Sequence, residues 1–308
     1  MKILLTCFFL SALVMSAAAQ VKDYSKIDAY ANANPEMKAV TVAALTKYLM
    51  VPANGDSEKV RSIFMWMTSH ISYDWEAYEN GTAQWQEGLT TLQRGKGVCQ
   101  NFSDLFTALC VTAGLDAQTI NGYAKSSIDN SWMLAGFGAS NHAWNVVKVS
   151  GQWQLMDVTW SQNTGSLNYF MADPLWFRRD HLPWDAQWQL TNDTLTLEQY
   201  EHIPELKDAY YTFHIQHLTP MASSIKGRKK MVFTFDSKND LHLIADVHHF
   251  DYSNRSVPKF TQVVTHNGNH YTLTLTFAAE EIYWVTIEHN NIFDAIVTYV
   301  VDTHSAVN

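Results

Sequence analysis

The stretch from residue 95 to residue 160 constrains the fold most, because it combines an amphipathic helix with a β-hairpin. Apolar residues recur at helical spacing after Cys99, and the pattern ends at Gly114. Cys99 is therefore predicted at a helix N-terminus, where unpaired backbone N–H groups and the helix dipole stabilise a thiolate. Cys110 lies about 16 Å further along the same helix, so the sequence predicts a buried thiol there and no disulfide to Cys99.

The second part of this stretch reads as a hairpin over residues 142–160, with Ser150-Gly151 at its turn. A two-residue loop would place His142 opposite Thr159. Asp157 would then lie one diagonal step from His142 on the same face of the sheet, because side chains alternate with period two. A slip of one residue would put the two side chains on opposite faces.

These three residues fit a nucleophile, a base and an orienting acid. Cys99 would attack a carbonyl carbon, His142 would move the proton, and Asp157 would fix the imidazole tautomer. The acyl group on sulfur would then pass to water or to an amine. The Cys99 backbone N–H is the first candidate to stabilise the oxyanion. Further candidates for that role are three side chains upstream: Gln84, Trp85 and Gln86. The alternative is structural, since cysteines are often buried and strand histidines often serve packing.

Several short motifs resemble the transglutaminase-like superfamily, and most closely its kyphoscoliosis peptidase-like branch. They are Tyr73-Asp74, Gly95-Lys96-Gly97-Val98-Cys99-Gln100, Gly122-Tyr123, Asn141-His142-Ala143-Trp144-Asn145, Asp157-Val158-Thr159-Trp160 and Tyr169-Phe170-Met171-Ala172-Asp173-Pro174. The resemblance covers residues 58 to 190. It implies a papain-like α+β fold in which the cysteine-bearing helix packs on an antiparallel sheet that carries the histidine and the aspartate. It leaves the reaction open, because the superfamily includes transglutaminases, peptidases, a peptide N-glycanase and inactive members.

The chain divides into four predicted segments. Residues 1–19 have the charge, apolar run and small residues of a secretory signal peptide, which predicts export to the periplasm, the cell surface or the medium. Residues 20–57 are predicted as a helical lead-in that packs on the core, and residues 58–200 as the transglutaminase-like domain. Residues 205–308 are predicted as a β-rich, immunoglobulin-like sandwich of six strands, with a hairpin signal at Asn267-Gly268.

Charge and histidine spacing exclude some classes of function. The net charge of −9 argues against nucleic acid or an anionic membrane surface as partner, because both favour a basic surface. No segment after the signal peptide is apolar enough to span a membrane. Neither His214 and His217 nor His248 and His249 have a third ligand at a zinc spacing, so we expect no metal and no cofactor.

The leading hypothesis is an exported thiol peptidase or amidohydrolase that acts on protein or peptide substrates. Transglutaminase-type acyl transfer to amines is one alternative. Another is a peptide- or glycan-binding module in which the same three residues no longer catalyse a reaction. Residues 126–140 are predicted as a loop beside His142, either a gate to the cleft or a simple connection.

Overall fold

A computed structural model describes residues 22–33, 41–84, 86–126, 132–227, 229–251, 256–290 and 294–304. The predicted signal peptide lies outside these residues. The helices are α1 (Ser25–Asn32), α2 (Val42–Leu49), α3 (Asp56–His70), α4 (Trp75–Glu79), α5 (Gly88–Arg94), α6 (Cys99–Thr112), α7 (Trp132–Ala135), α8 (Val158–Thr164), α9 (Pro174–Phe177), α10 (Leu197–His202) and α11 (Asp208–Thr212).

The strands alternate with helices in the first two thirds of the chain and then follow one another. They are β1 (Ser72–Tyr73), β2 (Lys96–Gly97), β3 (Ala117–Ala124), β4 (His142–Val149), β5 (Gln152–Met156), β6 (Phe170–Ala172), β7 (His181–Pro183), β8 (Glu205–Leu206), β9 (Gln216–Thr219), β10 (Ser224–Lys226), β11 (Lys230–Asp236), β12 (Leu243–His249), β13 (Phe260–Asn267), β14 (His270–Phe277), β15 (Ile282–His289) and β16 (Ala295–Asp302).

The first part of the chain is built on a five-stranded antiparallel sheet in the order β6-β5-β4-β3-β7. Apolar side chains of α1, α2, α3 and α6 pack on one face of this sheet in a single buried cluster. The opposite face carries a second cluster rich in aromatic rings, which includes Trp144, Tyr169 and Phe177. The predicted α+β class, with a cysteine-bearing helix on an antiparallel sheet, is confirmed.

Helix α6 starts at the cysteine because the chain before it is held close to the first turn. The Asn101 side chain accepts a hydrogen bond from the Val98 backbone N–H (3.0 Å). A Cβ atom on Gly97 would lie 2.6 Å from the Cβ of Asn101, so only glycine permits this approach. Five apolar residues of the helix are buried, as its pattern predicted: Phe102, Leu105, Phe106, Leu109 and Cys110.

The predicted hairpin register is confirmed, but its second arm is shorter than expected. Val149 pairs with Gln152, and the turn residues Ser150 and Gly151 both have positive φ, as a type I′ turn requires. Strand β5 then ends at Met156, and residues 158–164 form α8 instead of a strand. The expectation that Thr159 lies opposite His142 is therefore wrong.

The C-terminal part is a sandwich of two sheets, with strand orders β10-β16-β15-β12 and β13-β14-β11-β9. The six predicted strands are confirmed, and Asn267 pairs with His270 across the predicted hairpin. Three short strands were not predicted, and one of them, β10, runs parallel to β16. Buried residues of both sheets form one apolar cluster. None of the described helices is long and apolar enough to cross a bilayer.

The segment before His142 packs against the sandwich. Trp132 and Met133 of α7 form a buried cluster with Trp284 and Val300. Part of the predicted loop, residues 127–131, lies outside the described residues, and the rest includes α7. The structure thus joins the approach to His142 to the C-terminal sheets through apolar contacts.

Candidate active site

Cys99 lies in a narrow cleft at the N-terminus of α6, and its side chain is half-buried. The cleft has a volume of about 70 Å³, and the residues that line it include Tyr73, Cys99, His142 and Trp160. A larger cavity of about 400 Å³ adjoins it, because Trp75, Ser126, Trp160 and Asn163 line both. The thiol therefore faces a cleft that continues toward the segment joining the two parts of the chain.

The side chains of Cys99 and His142 line the same cleft, and each shifts the pKa of the other. Burial opposes a thiolate, but the bond to His142, the charge of the imidazolium and a bond to the Ala143 backbone together lower the pKa of Cys99. By contrast, burial without a charged partner raises the pKa of Cys110. The pKa values of the two thiols are therefore shifted in opposite directions.

Asp157 contacts His142 from the other side of the ring. His142 Nε2 lies 2.7 Å from Asp157 Oδ2, which leaves Nδ1 of the ring for Cys99. Burial disfavours the imidazolium, yet the Asp157 charge and the bonds to Asp157 and Cys99 raise the pKa of His142 to about 10. Asp157 is fully buried, and despite this burial His142 and His181 hold the pKa of its carboxyl well below the ordinary range.

The position of Asp157 follows from the end of β5. Met156 packs on the helical side of the sheet, so the next residue points to the face that carries His142 and Trp144. Asp157 also begins α8, because its Oδ1 accepts a hydrogen bond from the Trp160 backbone N–H (2.9 Å). One oxygen of the carboxylate thus caps a helix while the other faces the imidazole, which fixes the orientation of both.

His181 is a third member of this buried network, and no pattern in the sequence predicts it. Its Nε2 lies 3.0 Å from Asp157 Oδ2 and its Nδ1 lies 2.6 Å from Asp180 Oδ1. The ring therefore donates to both carboxylates only when both nitrogens carry protons. Asp180 in turn accepts hydrogen bonds from the Tyr169 hydroxyl and from Arg179 Nε, both at 3.0 Å.

Strand pairing explains why the two histidines meet at one carboxylate. His142 on β4 pairs with Gly122 of β3, and His181 on β7 pairs with Ala124 of β3. Residues two positions apart along a strand lie on the same face, so both imidazoles point to the same side of the sheet. A Cβ atom on Gly122 would lie 2.2 Å from the Leu182 carbonyl oxygen and 2.4 Å from the Trp144 ring, so glycine is required there.

Among the described residues, His142, Asp157 and His181 form one group whose ligand atoms are spaced closely enough to hold a metal ion, within 4.8 Å of one another. Both ring nitrogens of His181 and Nε2 of His142 are occupied by carboxylate oxygens at hydrogen-bond distances. The arrangement works as a chain of proton donors and acceptors that leads to Cys99.

Two of the three side-chain candidates for the oxyanion, Gln84 and Gln86, line a cavity other than this cleft. Gln84 and Gln86 line a different cavity of about 240 Å³, together with Gly97, Val98 and Asn101. Trp85 lies outside the described residues. The Cys99 backbone N–H remains beside the thiol as the first residue of α6.

Comparison with known proteins agrees with this arrangement. The model of the transglutaminase-like superfamily matches residues 43–158. Kyphoscoliosis peptidase of Mus musculus is 31% identical over 231 residues, which cover 70% of this chain and 34% of the mouse protein. The human protein of that name is 29% identical over 222 residues, 68% of this chain and 33% of that protein.

Hillarin of Drosophila melanogaster is 24% identical over 236 residues, which cover 70% of this chain and 28% of hillarin. The chain thus spans about a third of the length of the curated relatives it matches. The superfamily match includes α6, β3, β4 and β5, which carry Cys99 and His142 and lead to Asp157. These matches support the transglutaminase-like superfamily for this chain and, within it, the branch that contains kyphoscoliosis peptidase.

Proposed function

We propose that this protein is an exported thiol hydrolase that cleaves amide bonds in peptides or proteins, with Cys99 as nucleophile, His142 as general base and acid, and Asp157 as orienting residue. One observation carries the proposal: Cys99 and His142 line one cleft and shift the pKa of each other, and His142 Nε2 lies 2.7 Å from Asp157 Oδ2. The fold and the name of the mouse and human relatives support it. The composition of residues 1–19 supports export.

The reaction would have two halves. The Cys99 thiolate attacks the carbonyl carbon, forming a C–S bond while the carbonyl electron pair moves onto oxygen. The tetrahedral intermediate collapses, the C–N bond breaks, and His142 gives its proton to the departing amine. Water then loses a proton to His142 and attacks the thioester, and the C–S bond breaks to release a carboxylic acid.

Electrostatics favours this sequence over a mechanism that begins with a neutral thiol. The charge of Asp157 keeps His142 protonated over the neutral range, and the imidazolium keeps Cys99 as thiolate. An imidazolium is also the proton donor that an amine leaving group needs. The network past Asp157, through His181 and Asp180, holds the carboxylate in place.

The test is amide turnover by the protein, measured on casein and on a mixture of fluorogenic peptide amides. We expect Cys99→Ala to abolish turnover and Cys110→Ala, the matched control, to retain it. Equal turnover by the wild type and Cys99→Ala would refute the nucleophile assignment.

A parallel measurement separates hydrolysis from acyl transfer. A fluorescent primary amine is added to the casein reaction, and the products are examined for release of new carboxyl termini and for incorporated amine. Incorporation that depends on Cys99, without new termini, would replace the hydrolase proposal by a transglutaminase. Peptide binding without either product would favour a binding module.

A further inference from the structure

Tyr73 lies in the cleft beside Cys99. Strand β1 pairs in parallel with β2, and Tyr73 is the partner of Gly97, two residues before the nucleophile. Its side chain lines the same cleft as Cys99 and His142. The Cys99 backbone N–H, the group expected to stabilise an oxyanion, acts electrostatically on the Tyr73 hydroxyl.

The backbone on both sides of Tyr73 is held firmly. Ser72 N–H donates to the Gly95 carbonyl and Asp74 N–H donates to the Gly97 carbonyl, both at 2.9 Å. The buried Asp74 carboxylate pairs with Arg94 and Lys96, also at 2.9 Å each. Donors that stabilise a transition state need such preorganisation, because they then reorient little during the reaction.

The ring of Tyr73 is held by aromatic neighbours. Its centroid lies 4.5 Å from that of Trp75, 6.0 Å from Tyr78 and 6.4 Å from Phe102 of helix α6. Burial, together with the nearby Cys99 and Tyr78, raises the pKa of Tyr73. The hydroxyl therefore keeps its proton at neutral pH and is available as a neutral donor.

We propose that the Tyr73 hydroxyl donates a hydrogen bond to the oxygen that becomes negative when Cys99 attacks a carbonyl carbon. This inference rests on the proposed thiol-acylation chemistry. The Cys99 N–H and the Tyr73 O–H, which belong to residues lining one cleft, would then be two donors to the same oxygen. The oxyanion accepts a hydrogen bond from each of them. Tyr73 transfers no proton, so the balance of the reaction is unchanged.

The test compares two reagents that attack the same thiol. Iodoacetamide alkylates the thiolate: a C–S bond forms as iodide leaves, and no oxyanion forms. p-Nitrophenyl acetate acylates the thiol through a tetrahedral intermediate that carries an oxyanion. In Tyr73→Phe, we expect the acylation rate at Cys99 to fall by roughly 10²-fold, while the alkylation rate and its pH profile stay as in the wild type.

Tyr48→Phe is the matched control, because the Tyr48 hydroxyl donates to the Tyr30 carbonyl away from the cleft. It should change neither rate. Unchanged or faster acylation in Tyr73→Phe would overturn the inference and leave the nucleophile assignment intact. Equal loss of both rates would also overturn it, since Tyr73 would then support the thiolate. If the wild type releases nitrophenolate no faster than Cys99→Ala, the proposed function fails and this inference with it.

Discussion

Replacing Asp157 by asparagine separates the charge of this residue from its structural role. The asparagine side chain retains an oxygen that can cap α8 at the Trp160 backbone N–H, so the helix is expected to persist. The negative charge beside His142 Nε2 is lost. The substitution therefore removes the group that keeps the imidazole protonated and leaves the surrounding chain in place.

The structure gives the size of the expected effect. The rise in the pKa of His142 from 6.5 to about 10 corresponds to roughly 5 kcal/mol in favour of the imidazolium. Burial alone opposes the imidazolium, so most of this stabilisation depends on Asp157, with a share from Cys99. In Asp157→Asn we expect the pKa of His142 to fall to its ordinary value or below.

The assay is an NMR titration of histidine-labelled protein, in which His142 is assigned by the loss of its signal in His142→Ala. Asp173→Asn is the matched control, because Asp173 caps α9 with the same kind of bond and is exposed. A His142 that titrates near pH 10 in Asp157→Asn would refute the reasoning, because the thiolate alone would then hold the proton.

The same substitution predicts a change in stability with pH. A raised folded-state pKa for His142 stabilises the native state fully below the unfolded value of 6.5, and this stability is lost as pH rises through about 10. The lowered pKa of Asp157 adds stability above its unfolded value of 3.8, lost as pH falls. The free energy of unfolding of the wild type should thus exceed that of Asp157→Asn most between pH 3.8 and pH 6.5. A difference independent of pH would contradict this.

Three further results are expected. His181→Phe removes two charge-assisted hydrogen bonds from buried carboxylates and should lower the free energy of unfolding by about 3–5 kcal/mol in chemical denaturation; a loss below about 1 kcal/mol would contradict this. Cys110 is fully buried and should react with iodoacetamide only after denaturation, as mapped by mass spectrometry; labelling in the native protein would contradict its place in the core. Trp284→Ala removes a side chain that packs on Trp132 and should lower the free energy of unfolding by about 3–5 kcal/mol. It should also raise KM for peptide amides without changing the rate of Cys99 alkylation. An unchanged KM would show that the sandwich does not influence the cleft.

Local pattern predicted the elements that carry Cys99 and His142. The apolar spacing after Cys99 gave α6, and the Ser150-Gly151 turn gave the hairpin register, because both signals act over a few residues. The end of β5 was misjudged because Val and Trp in residues 158–160 favour a strand. Two residues outweigh this preference. Asp157 caps the N-terminus of α8, and Gly165, with a φ of 69°, ends the helix.

The contacts that complete the site depend on longer-range packing. His181 lies on a three-residue strand that contains a proline, and it reaches Asp157 only because β7 pairs with β3. The adjacent Asp180 was the one available signal. Tyr73 was recognised as part of a motif, but its distance from Cys99 depends on the pairing of β1 with β2, strands of two residues each. Such short pairings have no periodicity to detect.

The central claim is that Cys99 and His142 form a thiolate–imidazolium pair. At pH ~6 a free thiol is only about 0.3% thiolate. A thiol with a lowered pKa has more thiolate at this pH and should react faster, although its lower pKa also reduces its nucleophilicity.

The measurement is the rate of Cys99 alkylation by iodoacetamide against pH, with Cys110 as internal control, in the wild type and in His142→Ala. The account predicts that Cys99 of the wild type reacts at pH values well below ~8.5, the pKa of an ordinary thiol. It also predicts that His142→Ala loses this reactivity. An ordinary profile for Cys99, the same in both proteins, would contradict it.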